Sequence, residues 1–198
     1  MWALVPFGLL LFFLRFVPAL ARGETFLRRV PWIPRLDVHL SFHLDGLSVL
    51  FALLISGIGA LIFLYAARYL EEHPHRGRFF LFLLGFMASM LGLVLAENAL
   101  ALFVFWELTS LSSYLLIGFE HERESARSAA LQALLVTGAG GLALLTGWIL
   151  LGQIGGGFEI TQWRSQRERL IVHPHAQWAL AFILLGAFTK SAQFPVHF

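Results

Sequence analysis

The stretch FFLFLLGFMASMLGLVLAENALALFVFWELTSLSSYLLIGF, running from Phe79 to Phe119, decides how this chain folds. As one helix its roughly 40 residues would reach ~60 Å at ~1.5 Å per residue, about twice the ~30 Å hydrocarbon thickness of a bilayer. The segment must fold back on itself. Glu97-Asn98 interrupts the apolar run, so the reversal is expected there, giving two antiparallel helices joined by a very tight turn.

Working outward, the whole chain shares this character. Of its 198 residues 58% are hydrophobic and 13% charged, with a mean hydropathy of +0.75, which places it in a bilayer rather than among soluble domains. Six apolar stretches are long enough to span, approximately Trp2 to Ala21, Gly46 to Leu70, Phe79 to Ala96, Asn98 to Phe119, Ser128 to Leu151 and Gln177 to Phe194. The fold class expected is therefore all-α: a polytopic transmembrane bundle of about six spanning helices. Ala19-Leu20-Ala21 resembles a signal-peptidase site, but no positive charge precedes the apolar run and Arg15 interrupts it. A first membrane helix with Arg15 snorkelling to the interface is the simpler account.

The connections alternate. Leu70 to Arg78 and Glu120 to Arg127 are short and fall on one side, whereas Ala21 to Asp45 and Gly152 to Ala176 are longer and fall on the other. Five arginines flank the short loops and seven the long ones, so the positive-inside rule leaves orientation open, with a lean toward cytoplasmic short loops because the rule weighs those most. The formal charge is only +2, and the arginines sit in separate polar segments, so a nucleic-acid partner is not expected. The absence of cysteine rules out disulfides, Cys-ligated zinc and Cys-ligated iron–sulfur clusters within the chain. No cofactor and no metal site is expected. His73-Pro74-His75, His173-Pro174-His175, His39 and His43 read as solvated loop histidines. Gly155-Gly156-Gly157 reads as a flexible interfacial turn, because no strand precedes it and no Lys-Ser/Thr follows. Inside the helices Gly57 with Gly59, Gly85 with Gly92, and Gly138 with Gly140 and Gly141 are expected to let backbones approach.

Two charges remain inside apolar spans. Glu107 follows the apolar run Ala99 to Trp106, where an acidic residue costs ~2.5–3.5 kcal/mol on the insertion scale. Phe103, Glu107, Ser110 and Tyr114 share one helical face, which offers the carboxylate two hydroxyls. Lys190 is the sole lysine among 14 basic residues, and lysine can shed its proton when desolvated whereas arginine stays charged. It follows the apolar run Ala179 to Phe188. Gly186, Lys190, Gln193 and His197 would line one face of a straight helix, but Pro195 is expected to break it by freeing the Ser191 carbonyl. A carboxylate that approaches a buried ammonium strengthens its grip on the proton, so a mobile pair can gate proton transfer. The plain alternatives are a glutamate hydrogen-bonded between helices and a lysine snorkelling to the interface.

The segments WELTSLSSYLLIGF (Trp106 to Phe119), LLGAFTKSAQFPVHF (Leu184 to Phe198) and WIPRLDVHLSFHLDGLSVLFALLISGIG (Trp32 to Gly59) resemble the large A subunit of Mrp-type multisubunit sodium/proton antiporters. That subunit is a relative of the antiporter-like subunits of respiratory complex I and membrane-bound hydrogenases. The resemblance implies that Glu107 and Lys190 are the charged pair that transfers protons, that the short loops are cytoplasmic, and that the chain lies in the inner (plasma) membrane. It implies as partners the other subunits of an antiporter complex, the bilayer, H+ and Na+ or another monovalent cation. It further implies N-terminal membrane helices over residues 1–96 and, over 97–198, the start of a proton-translocating core truncated after the Lys190 helix. The family's WLPDA-type segment, histidine-bearing broken helix and second inverted repeat are not in this sequence, so an incomplete first repeat, a fragment or part of a split subunit, is expected. A proton-pumping subunit of a redox enzyme such as NADH-quinone oxidoreductase or a membrane-bound hydrogenase is the alternative function. A structural subunit whose charges merely pin helices is a third.

Overall fold

The computed structural model describes residues 2–34 and 38–194. In chain order the elements are α1 (Leu4–Leu14), α2 (Val17–Ala21), β1 (Phe26–Ile33), β2 (Val38–Leu44), α3 (Gly46–Tyr69), α4 (Arg76–Leu95), α5 (Ala99–Ile117), α6 (Glu124–Gly155), α7 (Ile160–Ser165), α8 (Arg167–Val172) and α9 (Ala176–Lys190). Five segments are long and apolar enough to cross a membrane: Leu4–Ala21, Gly46–Tyr69, Arg76–Leu95, Ala99–Ile117 and Glu124–Gly155. The first is a kinked pair rather than one helix. Pro18 has no N–H to offer the Leu14 carbonyl, and the chain bends at Arg15 and Phe16. The Arg15 guanidinium lies 4.0 Å over the Phe12 ring and 5.0 Å from that of Phe16.

The reversal expected at Glu97-Asn98 is present. Asn98 caps α5, its Oδ1 accepting from the N–H groups of Leu100 at 3.0 Å and Ala101 at 3.3 Å, which satisfies donors that a helix start leaves orphaned. Arg78, at the start of α4, donates from Nη2 to the Phe119 carbonyl beyond the end of α5, and Gly92 near the end of α4 faces the Phe105 ring. The two helices are thus antiparallel. Successive long helices pack in the same up-and-down manner, so the short α3–α4 and α5–α6 loops share one face of the bundle and the two long connections share the other.

The sixth expected span is corrected. α9 has 15 residues, ~22 Å at ~1.5 Å per residue, and it ends at Lys190 instead of running to Phe194. Ala192 takes a left-handed φ of 50°, and the Gln193 N–H turns back to the Phe188 carbonyl at 3.0 Å. This is the 6→1 bond of a Schellman end, with alanine where glycine is usual. Pro195 and His197, which the sequence pointed to for the break and the helical face, lie outside the described residues.

The long connections are not plain loops. Phe26–Ile33 and Val38–Leu44 pair as an antiparallel hairpin whose register sets Phe26 against Leu44 and Val30 against Leu40, and Pro31 sits at its irregularity on an exposed edge strand, where the ladder does not need a proline N–H. The hairpin reaches the helices through a buried polar lock. Glu97 is 4% exposed, Asn98 and Ser41 are fully buried, and each has partners. The Glu97 N–H donates to the Ser41 carbonyl at 2.8 Å, and Glu97 Oε1 accepts from the Thr161 N–H at 2.6 Å. Glu159 Oε1 accepts from Ser41 Oγ and Asn98 Nδ2, both at 2.9 Å, and Arg29 Nε stands 3.7 Å from Glu159 Oε2. His43 joins this lock, with Nδ1 3.6 Å from Glu97 Oε2 and a side chain only 19% exposed. The reading of His43 as a solvated loop histidine is therefore corrected: β2 turns it inward. The glycine turn after α6 is held too, with Gly156 at φ 71° and the Trp163 indole donating to the Gly157 carbonyl at 2.8 Å.

Two stability effects follow from these joints. Glu97→Ala should destabilise the purified protein by about 3 kcal/mol, because it strands buried donors, whereas Glu24→Ala in the exposed Arg22–Glu24 pair should leave the melting temperature unchanged. At the start of α3, Asp45 and Ser48 form a reciprocal capping box, each N–H donating to the other's side chain at 2.8 Å. Burial pushes the Asp45 carboxyl up, but the Ser48 hydrogen bonds and the nearby His43 outweigh it and hold the carboxyl below its ordinary 3.8. The cap is thus fully effective above that ordinary value and is lost as pH falls through the lowered one. Asp45→Ala should cost about 1 kcal/mol at neutral pH, and in melting curves the difference from the parent should vanish in strong acid.

Candidate functional site

Glu107 and Lys190 are brought to one level of the bundle, and two adjacent glycines of α6 put them there. A Cβ on Gly141 would land on Glu107 Oε1, and a Cβ on Gly140 would land on the Thr189 side chain next to Lys190. Successive residues of a helix point ~100° apart, so Gly140 receives α9 while Gly141 receives α5. Gly186 and Gly147 extend the close approach of α6 and α9: a Cβ on Gly186 would lie 2.6 Å from the Gly140 carbonyl, and one on Gly147 2.7 Å from the Ala179 carbonyl. Of the glycines singled out in the sequence, Gly85 and Gly138 face open space; Gly186 was named there only for sharing a face with Lys190, and Gly147 was not named.

Lys190, the last residue of α9, points into the bundle rather than out to an interface. Its Nζ donates to Ser110 Oγ at 2.6 Å and lies 5.5 Å from the centre of the Trp106 ring, within range of a cation–π attraction. Ser110 is 3% exposed and its hydroxyl also reaches the Trp106 carbonyl at 3.4 Å. The face shared by Phe103, Glu107, Ser110 and Tyr114 is therefore divided differently from what helical spacing suggested: Ser110 serves the lysine and not the glutamate. No ion pair joins Glu107 and Lys190. Glu107 Oε1 is buried, and among the described residues no donor holds that oxygen.

A cavity of about 310 Å³ adjoins the lysine, walled by Phe86, Met90 and Ala133 together with Thr109, Ser110, Ser113, Thr137 and Lys190 itself, so that its surface is mostly apolar with a few polar groups. Such a volume holds several waters, each of which occupies ~30 Å³ in the liquid. On the long-loop side of the two charges the bundle is closed by packed apolar side chains: Ala99, Leu144, Trp148 and Trp163 are buried together, with Phe103 and Trp106 against them. Among the described residues no cluster of His, Cys, Asp or Glu could hold a metal ion. Sequence reasoning named Glu107 and Lys190 but missed Trp106, Thr109, Ser113, Thr137 and Thr189. Their side chains carry no intrinsic mark of function, and only the packing of α5, α6 and α9 collects them.

The family described as "NADH:quinone oxidoreductase/Mrp antiporter, TM" matches residues 96–198, and "NADH-Ubiquinone oxidoreductase (complex I), chain 5 N-terminus" matches residues 32–80. The chain is 40% identical over 193 residues to a Na(+)/H(+) antiporter subunit of Staphylococcus haemolyticus, covering 98% of this chain and 24% of that protein. It is 45% identical over 181 residues to a probable K(+)/H(+) antiporter subunit of Rhizobium meliloti, covering 91% of this chain and 18% of that one. The chain thus spans about a quarter or less of the length of these relatives. Among solved structures, a chain of the Mrp complex from Dietzia sp. DQ12-45-1b superposes with a TM-score of 0.81 at 30% identity, covering 99% of this chain and 24% of that one. With its apolar helices laid out as in that complex and its second half matched throughout, the chain is a multi-pass membrane protein and belongs to the NADH:quinone oxidoreductase/Mrp antiporter family.

Proposed function

We propose that this chain is the part of a plasma-membrane, proton-coupled monovalent cation antiporter subunit that relays protons through Glu107 and Lys190. The observation that carries the reading is the placement of Lys190 Nζ inside the bundle, on Ser110 and beside a cavity that Thr109, Ser113 and Thr137 help to wall, with Glu107 near it and its Oε1 unpartnered among the described residues. A lysine inside a span is a functional feature by default. Here the ammonium has a serine oxygen to hold it and room for water to take its proton. The carboxylate supplies the movable charge, because a mobile neighbour alters how firmly an ammonium keeps its proton. The relatives' names carry both Na+ and K+, so the monovalent class is proposed rather than one ion. The division into N-terminal membrane helices over residues 1–96 and the start of a proton-translocating core over 97–198 is part of the same proposal. It is supported by the tight turn at Glu97-Asn98 and by both charges lying beyond it. The other subunits of a membrane complex are the partners that go with this reading, since the superposed chain is part of the Mrp complex.

The second reading, a proton-pumping subunit of a redox enzyme, is favoured by the match of residues 32–80 to a complex I family. In vesicles holding the assembled complex, cation efflux driven by an imposed pH gradient without reductant is the result expected of an antiporter; strict dependence on NADH or another donor would select the redox pump. Under the antiporter reading, Lys190→Ala should abolish efflux and Glu107→Gln should cut it by about 10-fold or more, on the scale of a lost proton-transfer group. Unchanged efflux per assembled complex in both, with less complex assembled, would leave the charges a structural role only. Gly141→Ala tests the geometry separately: the added methyl group displaces the Glu107 carboxylate, so efflux should fall while Gly138→Ala, which meets nothing, should be silent.

A further inference from the structure

The Lys190 ammonium is held from α5 by two uncharged groups one turn apart. Ser110 Oγ accepts from Nζ at 2.6 Å, and the centre of the Trp106 ring lies 5.5 Å from Nζ, within the ~6 Å reach of a cation–π attraction. Residues four apart share one face of a helix, so both holds belong to the same strip of α5. Glu107, ~100° further round the helix, seats against Gly141 instead.

The tryptophan is fixed by its own surroundings. Its ring packs with Phe103 against the buried group of Ala99, Leu144, Trp148 and Trp163, and its carbonyl accepts from Thr109 Oγ1 at 2.7 Å. A buried tryptophan ordinarily pairs its N–H, yet Trp106 Nε1 is buried with no partner among the described residues. A hydrogen bond therefore does not set the orientation of this ring, and what it offers the lysine is its π face. Such a face attracts an ammonium but is no base, so it holds the charge without competing for the proton. A carboxylate in the same place would do both.

We propose that Trp106 is a positioning residue: its indole face, and not its N–H, holds the charged Lys190 side chain against α5 while no carboxylate pairs with it. The effect on transport rests on the proton-relay reading, whereas the hold itself is read by spectroscopy, so the two can fail separately.

In the assembled complex, position 106 is filled with tryptophan carrying one to four ring fluorines, which weaken the π face stepwise at nearly constant shape. Benzothienylalanine, which keeps the face and lacks the N–H, is the companion. Cation efflux per assembled complex should fall stepwise along the fluorine series, by about 5-fold at its end, on the scale of a cation–π contact. Benzothienylalanine should match the parent. In spectra of complex labelled with 15N-lysine, the ammonium signal that Lys190→Gln removes should lie upfield of that of free lysine, shielded by the indole ring. It should move downfield in Trp106→Leu, or in Trp106→Met if the former does not accumulate. Efflux that stays flat along the fluorine series, an equal loss with benzothienylalanine, or a Lys190 signal that does not move would each overturn the proposal. If Lys190→Ala itself leaves efflux unchanged, the relay reading falls and the spectrum alone decides on the hold.

Discussion

The rest of the site depends on the bare backbone at Gly140-Gly141. Two neighbouring residues without side chains let α6 accept a helix on each of two faces, so that Thr189 and Glu107 seat against one point of the same helix. In lipid no hydrophobic force draws apolar helices together, and close contact is what favours association. The charges gain their proximity from that contact and not from a salt bridge, which the structure does not form. A directly paired Glu107 and Lys190 would hold each other fixed; here the carboxylate lies against glycine with one oxygen unpartnered among the described residues.

The two faces of the bundle are built differently. Toward the long connections, tryptophans and aliphatic side chains close over the charges, and beyond them the buried lock of Glu97, Asn98, Ser41, His43 and Glu159 ties the hairpin, the α4–α5 turn and the α6–α7 link into one unit. Toward the short loops the packing opens into cavities whose mostly apolar walls also carry Ser, Thr, Tyr, Arg, His and Lys side chains. Fixing the start of α5 also fixes the height of Glu107, since a helix capped by a fully buried Asn98 cannot slide along its axis without breaking that lock.

The early end of α9 belongs to the same design. A continuous helix would carry Lys190 past its neighbours as one residue on a long apolar surface. The Schellman turn at Ala192 instead places the lysine at a helix C-terminus, where the unsatisfied carbonyls favour a positive charge, and leaves its chain directed at Ser110.

Hydropathy and length, read from residues alone, determined that the chain crosses a bilayer, that the Phe79 to Phe119 run reverses at Glu97-Asn98, and that Glu107 and Lys190 are its exceptional charges. These features are local: each depends on the cost of a residue in hydrocarbon, which a sequence states directly. The Trp32 to Gly59 and Trp106 to Phe119 segments likewise carried the resemblance to the family. The kink at Arg15, the hairpin and the inward turn of His43 were not drawn from the sequence: VHLSFHL over β2 does alternate apolar and polar as a half-buried strand would, but the partners that turn His43 inward lie far along the chain. Only the tertiary structure decided that Ser110 holds the lysine, that Gly140 and Gly141 seat Thr189 and Glu107, and that cavities lie on one side of the charges and close apolar packing on the other. The reason is physical: these are relations among α4, α5, α6 and α9, fixed by which small residues allow which backbones to touch, and no single helix contains them.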